Sequence, residues 1–209
     1  MTDMQFFPDE FDEWAAGYDA STEIDAFPFT GFQRVLDTIV AQAQASADMA
    51  VLDLGCGTGL LTERFARLGC RAWGIDFSSR MLELARERLP QVPFLLADIR
   101  AEWPPEFDQR YDRIVSGYTF HHFPQQGKIV LIRKLLQQNL RPGGRLVIGD
   151  VAFASAAAHN TYAASMGTEW EPEYYWEAEE DLAAFADAGI SARWQQMSDC
   201  AGVWTITEI

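Results

Sequence analysis

Apolar positions along the chain change period several times. From about Gly31 to Ala47, Phe32, Val35, Leu36, Ile39 and Val40 fall at helical spacing. Val51, Leu52 and Leu54 then form a short bulky run, as expected of a strand buried in a parallel sheet. Beyond it helix and strand alternate. Strands are expected near 50–54, 72–76, 93–97, 112–116 and 145–150, and helices near 60–68, 78–89 and 126–139. In the 78–89 helix Met81, Leu84, Ala85 and Leu89 make the apolar stripe. Pro142-Gly143-Gly144 marks a turn before the strand near 145–150. Such alternation specifies a parallel sheet with helices on both faces.

The two ends break this rhythm. Residues 1–32 are acidic and aromatic, with Phe6, Phe7, Phe11, Trp14, Tyr18, Phe27, Phe29 and Phe32. Trp14 and Tyr18 stand four apart and so share one face of a helix. After Asp150, residues 152–167 are rich in alanine and small polar residues, and 169–181 are again acidic and aromatic. A helix near 179–188 and strands near 192–197 and 202–207 finish the chain. Only Ser198 to Ala201 link those strands, so they should be antiparallel neighbours. There is no internal repeat, linker or low-complexity tract, and 209 residues suit one domain, 1–209.

Chemistry enters at the first strand. Gly55, Gly57 and Gly59 follow it with one residue between each, and a helical pattern starts at once with Leu60 and Leu61. A glycine turn that opens a helix brings its backbone and its unpaired N–H groups close to a ligand. A dinucleotide fingerprint would place its last glycine at position 60, which is Leu60. Asp53, at the strand end, would repel a pyrophosphate and suits a cationic or ammonium-bearing ligand. Asp76 ends the second strand, at the offset where a carboxylate accepts hydrogen bonds from ribose hydroxyls. Ribose without pyrophosphate, together with a positive amino-acid tail, describes S-adenosylmethionine.

On these residues the chain resembles the class I S-adenosylmethionine-dependent methyltransferases, over roughly residues 11 to 207. The matching blocks are Val51–Gly59, Gly74–Ser78, Phe94–Asp98, Tyr111–Ser116 and Leu140–Ile148, in the family's order and spacing. Within the family, Glu10–Asp19, Phe120–Phe123 and Glu173–Tyr175 look most like the YrrT-type small-molecule methyltransferases of bacteria. The expected fold is α/β, a Rossmann-like mixed sheet of seven strands, parallel except for one. The resemblance implies that 1–32 fold over the cofactor as a helical cover, with Tyr18 facing the methyl donor, and that Asp98, beside Ile99, binds the adenine amino group. The substrate side is expected in an insertion, 151–181.

The remaining cofactor candidates are Trp14, the turn residues Cys56 and Thr58, Phe77 and Met81 against the adenine, and Ser116, Gly117 and Tyr118 at the fourth strand's end, facing the methionine moiety. His121 and His122 follow directly, and imidazole is a usable base at neutral pH. With Tyr18 they are the catalytic candidates. Methyl transfer from a sulfonium is an in-line displacement, so a protein chiefly aligns the nucleophile and excludes water. No metal site is expected, because the third histidine, His159, is distant in sequence.

Composition narrows the partners. A net charge of −15 argues against nucleic acid and against an acidic membrane surface, and favours a small-molecule acceptor. No apolar run approaches a membrane span, and the acidic start lacks signal-peptide character. Three cysteines without ligand spacing suit free thiols in a reducing, cytoplasmic setting. The oligomer is expected to be a monomer or homodimer. Three other functions stay open at this point: an aminopropyl transferase, with a dense acidic site near the fourth strand; a nicotinamide oxidoreductase, which wants the missing glycine; and a non-catalytic cofactor-binding module.

Overall fold

A computed structural model describes residues 8–207. Phe6, Phe7 and the start of the N-terminal cover lie outside the described residues. In chain order the elements are α1 (Pro8–Ser21), α2 (Phe32–Ala43), β1 (Ala50–Leu54), α3 (Leu60–Arg67), β2 (Arg71–Asp76), α4 (Ser79–Arg88) and β3 (Phe94–Leu96). They continue as β4 (Tyr111–Gly117), α5 (Gln125–Lys134), β5 (Leu140–Phe153), α6 (Ala156–Met166), β6 (Trp176–Glu177), α7 (Ala178–Asp187), β7 (Ser191–Ser198) and β8 (Ala201–Thr207).

The main path of the sheet is β3-β2-β1-β4-β5-β8-β7, and β6 pairs in parallel with the end of β5. Among the described residues only β8 runs against its neighbours, antiparallel to both β5 and β7. The sheet therefore has the seven expected strands plus a two-residue eighth. Strand side chains alternate between faces, and both faces are covered. Val51, Val115 and Val147 pack against Val35 and Ile39 of α2 and Phe65 of α3. Leu52, Ile114 and Ile148 pack on the opposite side with Ile132 of α5, Trp176 and Trp204. This two-sided burial is why the strands read as continuous apolar runs rather than alternating ones.

Two expectations change. The 152–167 stretch holds the helix α6, which its uniform alanine-rich pattern did not reveal. β5 begins at Leu140, not at 145. Pro142-Gly143-Gly144 sits inside it as an irregularity, where the pairing with β4 shifts register between Tyr111 and Arg113. Within residues 151–181, β5 runs on to Phe153 and α7 begins at Ala178. No helix among the described residues is long and apolar enough to cross a membrane.

Strand order reverses between β1 and β4. In open α/β sheets that reversal leaves a crevice outside the C-terminal strand ends, where ligands bind. The glycine turn after β1 and residues 117–122 after β4 both open there.

Candidate active site

Gly55, Gly57 and Gly59 have φ of 65°, 53° and 86°, the left-handed region that favours glycine. At Gly55 a Cβ would also lie 2.1 Å from Thr119 Oγ1. At Gly57 it would meet no atom within 4 Å, so the turn faces open space there. The amides of Gly55 and Cys56 donate to the Ile75 carbonyl at 2.8 and 3.0 Å, which ties the turn to β2. Asp76, next along β2, accepts from the amides of Gly57 at 2.8 Å and Ser78 at 2.9 Å. Burial pushes the Asp76 carboxyl up to about 6, against the pull of those amides. Ser78 caps α4, and its hydroxyl donates to Asp12 of α1 at 2.5 Å. The N-terminal helix is thereby tied to the start of α4.

Asp53 is buried beneath the turn. The Thr62 hydroxyl donates to its Oδ2 at 2.5 Å, while Oδ1 has no hydrogen-bond partner among the described residues. Burial raises its carboxyl to about 7, with Asp76 adding to the effect. Thr58 donates to Asp19 of α1 at 2.6 Å, and Arg88 pairs with the same carboxylate. The Cys56 thiol is buried and held well above its ordinary pKa, first by desolvation and then by Asp76. It is a packing residue.

Trp14 and Tyr18 share a helix face as expected, their rings 4.9 Å apart and nearly perpendicular. Both pack on Phe29 and line the crevice. Burial, then Asp76 and Asp19, hold the Tyr18 hydroxyl above its ordinary pKa, so it stays a neutral phenol. Tyr118 has φ of 54°, unusual for an aromatic residue. It is 8% exposed, and its Oη has no hydrogen-bond partner among the described residues.

The two histidines occupy the other end of the crevice. Asp150, at the C-terminal end of β5, takes the ring Nδ1 of His121 at 2.5 Å and the His121 amide at 2.9 Å. Trp176 Nε1 donates to the same carboxylate at 3.0 Å. Glu173 reaches His121 Nε2 at 3.4 Å and His122 Nδ1 at 3.2 Å. Burial disfavours the cation at His121, but Asp150 and Glu173 outweigh it, and the His121 pKa is raised. His122 goes the other way: burial and the neighbouring His121 lower it. The imidazole rings lie 4.1 Å apart, with proton affinity raised at one and lowered at the other, the direction of split that separates acid from base.

His121, His122 and Glu173 each place a ligand-type atom within 4.8 Å of the others, so they could also hold a metal ion. The expectation of no metal site, drawn from histidine spacing, weighed His159 and not Glu173. His159 instead contacts Glu177 at 2.7 Å and stacks on Phe153.

One cavity of about 570 Å³ runs from Asp76, Phe77 and Met81 past Tyr18 and Gly117 to His121, His122 and Glu173. Asp53, Cys56 and Thr58 line a small recess of about 30 Å³ under the turn. Gly59 starts α3. Four expected cofactor residues, Gly59 among them, stay out of both. Asp98 grips Arg100, both carboxylate oxygens lying 3.0 Å from Nε, and Ile99 packs into the core. Ser116 is fully buried and donates to the Leu54 carbonyl at 2.7 Å, so it braces β4 against β1 rather than facing a ligand. The sequence reading missed Asp150 as a site residue, although a carboxylate ending a strand beside the switch point is a usable signal. It also left Phe11 and Tyr175, which line the cavity, without a role.

These residues fit S-adenosylmethionine. The open face at Gly57, Asp76 in the wall and the unsatisfied Asp53 Oδ1 are the features such a ligand would use. A methyltransferase-domain family matches residues 51–144. An uncharacterized methyltransferase of Anoxybacillus flavithermus is 33% identical over 181 residues, 81% of this chain and 82% of its own. One from Geobacillus kaustophilus is 31% identical over 219 aligned residues, 97% of this chain and 96% of its own. Among solved structures, the DhpI-SAM-HEP complex is similar with a TM-score of 0.70 at 19% identity, covering 95% of this chain and 94% of that one.

Proposed function

We propose that this chain, which belongs to the class I S-adenosylmethionine-dependent methyltransferases, transfers its methyl group to a small organic acceptor. Its cofactor is S-adenosylmethionine and its coproduct S-adenosylhomocysteine. When bound, the cofactor supplies an electrophilic methyl group already activated by the sulfonium charge. We place the chain with the YrrT-type enzymes, because all three sequence blocks of that likeness contribute to one cavity, through Tyr18, His121 and Glu173.

That shared cavity is the observation that carries the reading. Its volume is in the range of small-ligand sites, about 300–1,000 Å³. No lysine or arginine lines it among the described residues, which disfavours a nucleic-acid acceptor. The three cysteines are free, in keeping with a reducing, cytoplasmic setting.

The residues divide the work. Asp76 and the turn around Gly57 hold the ribose end. Asp53 counters positive charge near the turn. Trp14 and Tyr18 cover the donor and keep water from it. His122, neutral and beside Glu173, is the candidate base. His121 is locked by Asp150 and positions Glu173 and His122.

The test is S-adenosylhomocysteine release with a panel of small molecules, alongside bulk transfer RNA and unfolded protein as acceptors. Turnover is expected with a small molecule. Turnover confined to the macromolecules would overturn the reading.

A further inference from the structure

Charge inside the cavity discriminates among acceptor atoms. Asp76 and Glu173 stand in its wall, and the exposed side chains of Glu10, Glu169 and Glu171 also border it. Cations close by are engaged elsewhere: Lys128 donates to the Tyr174 carbonyl at 2.6 Å, Arg88 pairs with Asp19 and Arg100 with Asp98. Much of the remaining wall is aromatic, including Trp14, Phe27 and Tyr175, and ring faces attract cations. Tyr118 Oη, buried and without a hydrogen-bond partner among the described residues, borders the same space.

These features favour one nucleophile. A hydroxyl or thiol must react as an anion, and forming an anion beside buried carboxylates is costly. A carboxylate or phosphate acceptor is repelled outright. An amine enters as a cation, which the wall attracts, and reacts as a neutral atom.

We propose that the acceptor is an amine, bound as its ammonium ion against Glu173 and the aromatic wall, and methylated on nitrogen. This rests on the methyl-transfer reading above. The ammonium group gives up one proton to solvent water, leaving a neutral nitrogen beside Glu173. The nitrogen lone pair forms the new C–N bond to the donor methyl carbon, as the C–S bond breaks and its electron pair passes to sulfur. The products are a methylated ammonium ion and the neutral thioether S-adenosylhomocysteine.

Matched primary amine, alcohol, thiol and carboxylate probes on butyl, phenylethyl and indolylethyl frames test this. Each is titrated calorimetrically into the S-adenosylhomocysteine-loaded protein, with and without added Zn²⁺, and then assayed for transfer from S-adenosylmethionine. The amine should bind most tightly on any frame that fits. Glu171→Gln, at an exposed position, should weaken the amine roughly fivefold and leave the alcohol unchanged. Glu173→Gln should weaken it further. An alcohol, thiol or carboxylate that binds as tightly as the amine, with or without Zn²⁺, would overturn the proposal, as would a lack of amine binding on every frame. Transfer to oxygen or sulfur would overturn the amine assignment and leave small-molecule methyl transfer standing. Transfer only to macromolecules would overturn both.

Discussion

Asp150 Oδ1 lies 2.5 Å from His121 Nδ1, at the end of a strand where none of the carboxylate is exposed. Burial alone would raise the Asp150 pKa, yet His121 and the bond from Trp176 hold it below the usual carboxylate range. Both shifts, Asp150 down and His121 up, run in the direction that favours an ion pair. Breaking such a pair leaves an uncompensated charge and costs about 3–5 kcal/mol. Asp150→Asn keeps the shape but loses the charge. It should destabilise the fold by about 3 kcal/mol in urea unfolding and lower turnover more than S-adenosylhomocysteine affinity. Unchanged stability would mean that His121 is neutral in the native protein.

Asp76 is the residue on which cofactor affinity should depend most. Its carboxylate would give charge-assisted hydrogen bonds to the ribose, each of order ~1.5–3 kcal/mol. Asp76→Ala should weaken S-adenosylhomocysteine binding roughly ten- to a hundredfold in calorimetry. The same variant also frees the Gly57 and Ser78 amides that Asp76 now accepts from, so a thermal melt must show a folded protein. A folded variant with parental affinity would remove Asp76 from the ribose site.

Asp53 and Asp76 predict a pH dependence of opposite sign for stability and for binding. Burial raises both, to about 7 and about 6. A raised acid favours the fold fully below its unfolded pKa, and that contribution is lost as pH rises through the folded value. These two groups thus weaken the ligand-free fold between about pH 4 and 7. Asp53→Asn should melt higher than the parent at pH 8, with the gain shrinking toward pH 5. Binding needs the ionised forms. Affinity for S-adenosylhomocysteine should rise from pH 5 to 8, by up to about tenfold per unit below the folded values, with proton release measurable by calorimetry in two buffers. A flat profile would show that the ligand does not meet these carboxylates.

The parts of this site that follow from local rules were legible in the sequence. Gly55, Gly57 and Gly59 announce a turn because only that backbone tolerates it, and Asp76 sits at a fixed offset from them. The sheet was legible because its strands are buried on both faces and so lack alternation. What depends on distant contacts was not legible. Nothing local shows that Arg100 occupies Asp98, or that Ser116 turns to the Leu54 carbonyl instead of the crevice. Glu173 lies 51 or more residues beyond the histidines it joins, and long-range contacts, the β5–β6 pairing and the Tyr174 amide on the His121 carbonyl, bring it back. α6 carries no amphipathic stripe, so hydrophobic spacing had nothing to report.

Gly55→Ala should be far worse than an ordinary glycine substitution. The new Cβ would meet Thr119 Oγ1 at 2.1 Å, on a backbone with φ of 65°. We expect a loss of at least about 2 kcal/mol in stability and no measurable S-adenosylhomocysteine binding. Thr119→Gly in the same chain should recover part of the stability, since it removes the clash and leaves only the φ strain. No recovery would place the damage in the backbone alone.

Tyr18 separates covering the donor from holding the fold. Its ring packs edge-on against Trp14 and Phe29, on a helix that Asp12 and Asp19 tether to Ser78 and Thr58. Those tethers do not involve the Tyr18 side chain, so α1 should remain docked in Tyr18→Ala. Because the ring is half-buried, the variant should lose only about 1–2 kcal/mol of stability. Turnover should fall by at least about tenfold, because a gap beside the donor admits water and loosens alignment. Tyr18→Phe keeps the ring and removes the hydroxyl. If covering is the role, Phe should restore most of the turnover. If the hydroxyl itself contacts the reacting atoms, Phe should be as impaired as Ala. Thermal melts, S-adenosylhomocysteine titrations and turnover on the two variants decide between these. Normal turnover in Tyr18→Ala would exclude both roles.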